Sequence, residues 1–149
     1  MIFKFSCGAA CIVALATAPG LEAKLNSRGA TSAMPFAPIR PGELKKAHVA
    51  GVGCSWVQTT GNTIRFAMSG NVAAAKLVKA IVIFRPAPGA RQMFPFTYDS
   101  WMAEDRAVRV RRLAGRHLEG PEVVKNFAVL ELTEGGRTRS WRGLLKCGA

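Results

Sequence analysis

The stretch that decides the fold is residues 123–147, VVKNFAVLELTEGGRTRSWRGLLKC. Apolar and polar residues alternate along both halves of it, which is the period of a half-buried β-strand. Gly135-Gly136 separates the halves and favours a tight hairpin turn, because glycine tolerates the positive φ that such turns need. The stretch therefore predicts an antiparallel hairpin with one buried face. The residues predicted on this buried face are Ala128, Leu130 and Leu132 from the first strand, and Trp141, Gly143, Leu145 and Cys147 from the second.

The same alternation continues upstream, in short apolar runs separated by Gly, Pro, Asn or Asp. Seven or eight short strands within about 100 residues are typical of a small antiparallel barrel or sandwich, so residues 49–149 are predicted to form one all-β domain. Residues 73–79, AAAKLVK, also suit a helix, and residues 100–104 are expected to form a helical turn. The predicted strands are 53–58, 63–69, 72–77, 78–85, 93–98, 105–113, 123–133 and 137–147, with a loop at 113–122.

The amino terminus has the three parts of a secretory signal peptide. Lys4 precedes an apolar stretch at residues 5–18, Pro19-Gly20 follows as a breaker, and the small residue Ala23 predicts cleavage after position 23. A retained membrane anchor is the alternative, and the stretch is short for the roughly 20 residues that a bilayer requires. We therefore expect a periplasmic or secreted protein with no integral membrane span after cleavage.

Residues 24–48 contain Pro35, Pro38 and Pro41 and show no period of a strand or a helix. Each proline fixes φ and removes a backbone donor. This segment is predicted to be a flexible, proline-rich linker.

Two cysteines remain after residues 1–23 are removed, Cys54 and Cys147. In an exported chain they can pair in only one way within the molecule, which predicts a disulfide that closes the domain. A catalytic or metal-binding cysteine is the alternative. It lacks support, because neither cysteine has a CxxC partner and neither His48 nor His117 lies at ligand spacing.

Basic residues exceed acidic ones by 21 to 9, a net charge of +12, which favours anionic partners. Strand alternation turns four basic side chains away from their apolar neighbours and predicts an anion-binding face made of Arg109, Arg111, Arg142 and Lys146. The alternative is an ordinary solvated surface of a basic secreted protein. Binding of nucleic acid is disfavoured, because the Trp and Phe residues mostly alternate inward.

No catalytic constellation is recognisable. Ser55 lies outside a G-x-S-x-G elbow, and His117 has Glu119 and Glu122 nearby but no nucleophile. Asp99, Glu104 and Asp105 lack the ligand order of a calcium loop. We expect no enzyme activity, no cofactor and no metal.

Three features resemble small exported proteobacterial proteins of unassigned function: GVGCSW at 51–56, Trp101, and W-x-G-x(3)-C-G at 141–148. The resemblance implies a disulfide-closed β domain in the cell envelope and carries over no catalytic residues. A small barrel closed by a cysteine pair is also similar to the periplasmic inhibitors of C-type lysozymes. Those lysozymes are basic, as this chain is, so the charges do not complement each other.

The expected function is that of an envelope-associated accessory or binding protein whose arginine face takes an anionic envelope polymer or a lipid phosphate. A protein partner is also compatible with the sequence. The alternative is a proteinaceous inhibitor of an envelope-directed enzyme, which would present the loop at 113–122 as an ordered protrusion.

Overall fold

The computed structural model describes residues 33–95, 97–114, 118–119 and 123–148, of which 118–119 are described by backbone alone. Within these ranges no helix has the length and apolar character needed to span a bilayer. The elements in chain order are β1 (Phe36–Ala37), α1 (Pro41–Lys46), β2 (Gly53–Gln58), a short 3₁₀ helix (Thr60–Asn62), β3 (Thr63–Ser69), β4 (Val72–Leu77), β5 (Ala80–Pro86), β6 (Gln92–Phe94), β7 (Thr97–Tyr98), β8 (Ser100–Ala103), β9 (Arg106–Arg112), β10 (Leu118–Glu119), β11 (Val123–Glu134) and β12 (Arg137–Gly148).

Eight of the strands form a closed antiparallel barrel in the order β2-β3-β4-β5-β8-β9-β11-β12, with β12 pairing back to β2. The hairpin of β11 and β12 is its longest pairing, and Gly135 and Gly136 in its turn both have positive φ, 55° and 72°. The prediction of a small antiparallel barrel or sandwich of seven or eight strands is confirmed, and of these two architectures the structure has the barrel. The contact between β5 and β8 is the narrowest, since only Arg85 and Pro86 of β5 pair with β8.

The barrel interior is a packed core of large side chains. Strand alternation sends Trp56, Phe66, Phe84 and Trp101 inward, and all four are fully buried. The ring of Phe66 lies 5.6 Å from that of Phe84 and 6.4 Å from that of Trp101, in edge-to-face contacts. The inward faces of β9, β11 and β12 are buried as the alternation predicts, except that Trp141 is only partly buried against the core.

The disulfide joins Cys54 to Cys147, which face each other on β2 and β12 with an S–S distance of 2.01 Å and a Cα–Cα distance of 4.0 Å. The predicted pairing is therefore confirmed. It links the first and the last strand of the barrel at their common seam.

Residues 33–48 are part of the fold, which corrects the predicted flexible linker over this range. Phe36 is fully buried, its strand β1 pairs with β4, and its ring lies 5.8 Å from that of Trp141. Pro41 occupies the start of α1, where its missing N–H costs no hydrogen bond. The prolines thus mark the ends of short elements that burial holds in place. Residues 24–32 and the predicted signal peptide, residues 1–23, lie outside the described residues.

Four further differences come from tertiary context. Residues 100–103 form β8 instead of a helical turn, because Trp101 is buried inside the barrel. The predicted strand at 93–98 is a small hairpin of β6 and β7. Residues 72–86 form the hairpin of β4 and β5, so the helical alternative for 73–79 is wrong. Alternation alone would place Ile64 with Phe66 inside the barrel, but the β2–β3 register shifts between Trp56 and Val57, and Ile64 packs outside the barrel in a cluster with Val49, Ala67 and Ala74.

Candidate anion-binding site

The arginine side chains of β9 point away from the barrel core. Val108 and Val110 are buried at 1% exposure. Arg109, which lies between them, and Arg111, which follows Val110, are exposed. This is the arrangement that strand alternation predicts.

A groove of about 360 Å³ lies between β9 and the segment that leads into β6. Two backbone hydrogen bonds bring these segments together: the N–H of Asp99 donates to the carbonyl of Arg91 at 2.9 Å, and that of Val110 donates to the carbonyl of Asp99 at 2.8 Å. The residues that line the groove, hereafter the arginine groove, are Arg91, Gln92, Met93, Asp99, Arg109, Val110, Arg111 and Arg112. Among the described residues, four guanidinium groups therefore share one groove with a single carboxylate.

Asp99 fixes the position of Arg91. Its Oδ1 accepts the backbone N–H of Arg91 at 2.9 Å, and its Oδ2 accepts the guanidinium Nε at 3.4 Å. Burial raises the pKa of Asp99, but hydrogen bonds from the backbone of Arg91, the hydroxyl of Ser100 and the Arg91 guanidinium outweigh burial and hold this pKa below its ordinary value of 3.8. Asp99 is therefore ionised at neutral pH.

The charges of the groove are only partly compensated. Arg111 Nη2 lies 3.6 Å from Glu131 Oε1, and Arg91 is paired with Asp99. Arg109 and Arg112 form no ion pair within the described part of the chain. The groove therefore offers positive charge that is not already neutralised.

Arg142, the third predicted residue, lies on the same outer face but outside the arginine groove. Val129 of β11 pairs with Arg111 of β9 on one side and with Arg142 of β12 on the other. Arg111, Val129 and Arg142 therefore lie side by side across three neighbouring strands. Arg142 is exposed and borders a neighbouring cleft of about 380 Å³.

Lys146 does not join this group. Its Nζ donates a hydrogen bond to Oδ1 of Asn62, and it lines a separate cavity of about 280 Å³ beside the disulfide. Of the four predicted residues, the structure places Arg109 and Arg111 in one groove, Arg142 beside it and Lys146 elsewhere.

Two functional candidates are found only in the structure. Arg91 reaches the groove because the backbone of Asp99 bridges it to β9, a contact that no local pattern signals. Phe127 faces outward on β11 with 47% exposure, although the aromatic residues were expected to alternate mostly inward. The alternation of Ala128, Leu130 and Leu132 was the available signal, since it places Phe127 on the opposite face.

Those remaining sequence candidates that the structure describes are not brought together at one place. Ser55 lies on β2 opposite Ala67 and Lys146, and Asp105 lies in the β8–β9 turn with its Oδ1 3.7 Å from Arg106 Nη1. Within the described ranges no three His, Cys, Asp or Glu side chains converge as metal ligands would. His117 and most of the loop at 113–122 lie outside the described residues.

Comparison of the chain with protein-family models, with curated proteins and with solved structures finds no match in any of the three.

Proposed function

We propose that this protein is an exported binding protein that takes an anionic partner through the arginine groove on the outer face of β9. The observation that carries the proposal is the convergence of Arg91, Arg109, Arg111 and Arg112 on one groove of about 360 Å³. An anionic envelope polymer and a lipid phosphate are the two ligand classes that suit this charge.

The chemistry of the side chains favours oxyanion ligands. A guanidinium group presents paired donors that match carboxylate and phosphate oxygens, and its contacts with them are stronger than neutral hydrogen bonds. Asp99 and Glu131 pair with two of the four groups, those of Arg91 and Arg111. Arg109 and Arg112 keep donors for the ligand.

Export is supported by the signal-like residues 1–23 and by the disulfide, because disulfides persist mainly in oxidising compartments. A net charge of +12 raises the rate of encounter with polyanions. The barrel acts in this proposal as a rigid frame that holds the arginines on one face.

The test compares two triple variants of equal charge. Arg109→Gln/Arg111→Gln/Arg112→Gln removes the groove, and Lys45→Gln/Lys46→Gln/Lys79→Gln removes three exposed lysines on α1 and the β4–β5 turn. Affinity for heparin is measured by titration at several salt concentrations. We expect the groove variant to bind at least about tenfold more weakly than the wild-type protein, since charge-assisted hydrogen bonds are lost. The slope of log affinity against log salt should also become shallower.

The lysine variant should lose much less affinity than the groove variant. Equal losses in the two variants would show that net charge alone attracts the polymer and would exclude a site at the groove. The inhibitor function stays a prediction, because the loop expected to carry it falls largely outside the described residues.

A further inference from the structure

We infer that the ligand of the arginine groove is amphipathic, a lipid phosphate whose acyl chain lies in the cleft beside Phe127. This inference rests on the proposed function and narrows it from anions in general to one class. Its basis is the order in which charged and apolar residues follow each other on the outer face of β9, β11 and β12.

The strand register places an arginine row directly beside an apolar row. The arginine row is Arg111, Val129 and Arg142, which are paired across the three strands. Two residues before Val129 on β11, Phe127 pairs with Leu144, and the carbonyl of Phe127 accepts the backbone N–H of Leu113 at 2.8 Å. Leu113, Phe127 and Leu144 make up the apolar row. Residues two apart on a strand are separated by about 7 Å, so a group held by the arginines lies next to the apolar row.

The apolar row borders a real cleft. The cleft measures about 380 Å³, and its lining residues are Thr59, Leu113, Ala114, Phe127, Arg142 and Gly143. Phe127 is 47% exposed, and it is the one exposed aromatic side chain among the residues whose burial is described. Arg142 is the one charged residue in the described part of the lining, and it lies at the boundary between the cleft and the arginine row.

A purely polar polyanion would satisfy the arginines and leave Phe127 in water. An acyl chain that continues from the bound phosphate would cover Phe127 and remove apolar surface of both molecules from water. Each methylene group buried in this way strengthens binding about fourfold. The pairing of a cationic row with an apolar cleft therefore fits a lipid phosphate better than a sugar polymer or free phosphate.

The experiment measures the dependence of affinity on chain length by calorimetry. Inorganic phosphate, butyl phosphate and octyl phosphate are titrated into the purified protein below the micelle concentration. We expect octyl phosphate to bind at least about tenfold more tightly than butyl phosphate, which requires that only part of the added chain be buried. Inorganic phosphate should bind no more tightly than butyl phosphate.

Two matched substitutions locate the chain. Phe127→Ser should bring the octyl-to-butyl affinity ratio close to one and leave the affinity for inorganic phosphate, which has no chain to place in the cleft, unchanged. Phe127→Leu should keep most of the ratio. Val78→Ser removes an apolar side chain that is 83% exposed in the β4–β5 turn, away from the cleft, and should leave the ratio unchanged.

The outcomes separate the two proposals. Equal affinities for butyl and octyl phosphate, with butyl phosphate still bound, would overturn the lipid inference and leave the arginine groove intact. Octyl binding that Val78→Ser weakens as much as Phe127→Ser does would also overturn it, because the chain would then contact apolar surface unspecifically. Absence of binding by any phosphate, together with heparin binding that the groove variant does not weaken, would overturn both.

Discussion

Gly143 lies on β12 and faces the indole ring of Trp56 inside the barrel. A Cβ atom at Gly143 would lie 2.5 Å from the carbonyl oxygen of Val57 and closer still to the indole ring of Trp56. That ring has little freedom to move, because it is fully buried and its Nε1 donates to the carbonyl of Ala128 at 3.4 Å. Close packing thus requires a residue without a side chain at position 143.

Gly143→Ala should lower the free energy of unfolding by about 1–3 kcal/mol, the usual cost of overpacking a core. Gly42→Ala is the control, because a Cβ there meets no atom within 4 Å. Its position inside α1 should make it neutral or stabilising by at most about 1 kcal/mol. Urea denaturation measures both. Equal stability of the two variants would contradict the close contact with Trp56.

At the scale of elements, α1 is anchored to the barrel through Glu43. Oε2 of Glu43 accepts the backbone N–H of Arg40 at 2.8 Å, and Oε1 lies 2.6 Å from Nζ of Lys76 on β4. The hydrogen bond from Lys76 is the largest cause that lowers the pKa of Glu43 from its ordinary value of 4.5, followed by the hydrogen bond from the Arg40 backbone. A hydrophobic cluster beneath α1, including Val49 and Ala74, completes the contact.

Glu43→Gln should therefore reduce stability in a pH-dependent way. A carboxylate whose pKa is lower in the folded state than in the unfolded state stabilises the fold above the unfolded value. The difference in unfolding free energy between wild type and Glu43→Gln should be full near neutral pH and shrink as pH falls below 4.5.

Denaturation curves across this pH range test the anchoring of α1. Glu104→Gln is the matched control, since this side chain is 88% exposed in the β8–β9 turn and should change stability little. A difference for Glu43→Gln that does not vary with pH would argue against an ionised Glu43 in the contact.

Several elements could be predicted from the sequence because their signal is local. The bounds of β2 and β3 match the predicted strands, and β11 and β12 match within one residue at their ends. The hairpin of β6 and β7 and the strand β8 were missed because Pro95 and the short run around Trp101 give no clear period. Contacts with the barrel decide those conformations.

At the scale of the whole molecule, the segment at residues 33–48 contributes to the barrel core. Phe36 is fully buried between the rings of Phe66, at 6.5 Å, and Trp141, at 5.8 Å. The guanidinium of Arg65 donates to the carbonyl of Phe36 at 2.8 Å and holds its backbone to β3. The domain predicted to begin at residue 49 therefore lacks part of its core.

Phe36→Ala should lower the free energy of unfolding by about 3–5 kcal/mol, as for other fully buried aromatic residues. Val78→Ala, at a side chain that is 83% exposed, should change it by less than about 0.5 kcal/mol. Chemical denaturation compares the two. If Phe36→Ala were as stable as wild type, the segment would be a linker as the sequence predicts.

The candidate site could be predicted only where it follows the alternation of a single strand. Arg109 and Arg111 could be predicted in this way, because alternation along the strand places them on the face opposite to Val108 and Val110. The position of Arg91 in the groove, and the proximity of Phe127 to Arg142, depend on which strands pair and in what register. Such register is set by long-range contacts that residue order alone does not reveal.

The bond between the first and last barrel strands also sets an order of events during synthesis. Cys54 and Cys147 are 93 positions apart, so a chain that emerges amino terminus first exposes Cys54 as a free thiol until β12 follows. Oxidation of this pair therefore takes place after the chain has been made through β12. A product that ends earlier retains a reactive thiol and an unpaired edge on β2, and mixed disulfides at Cys54 would mark it as incomplete.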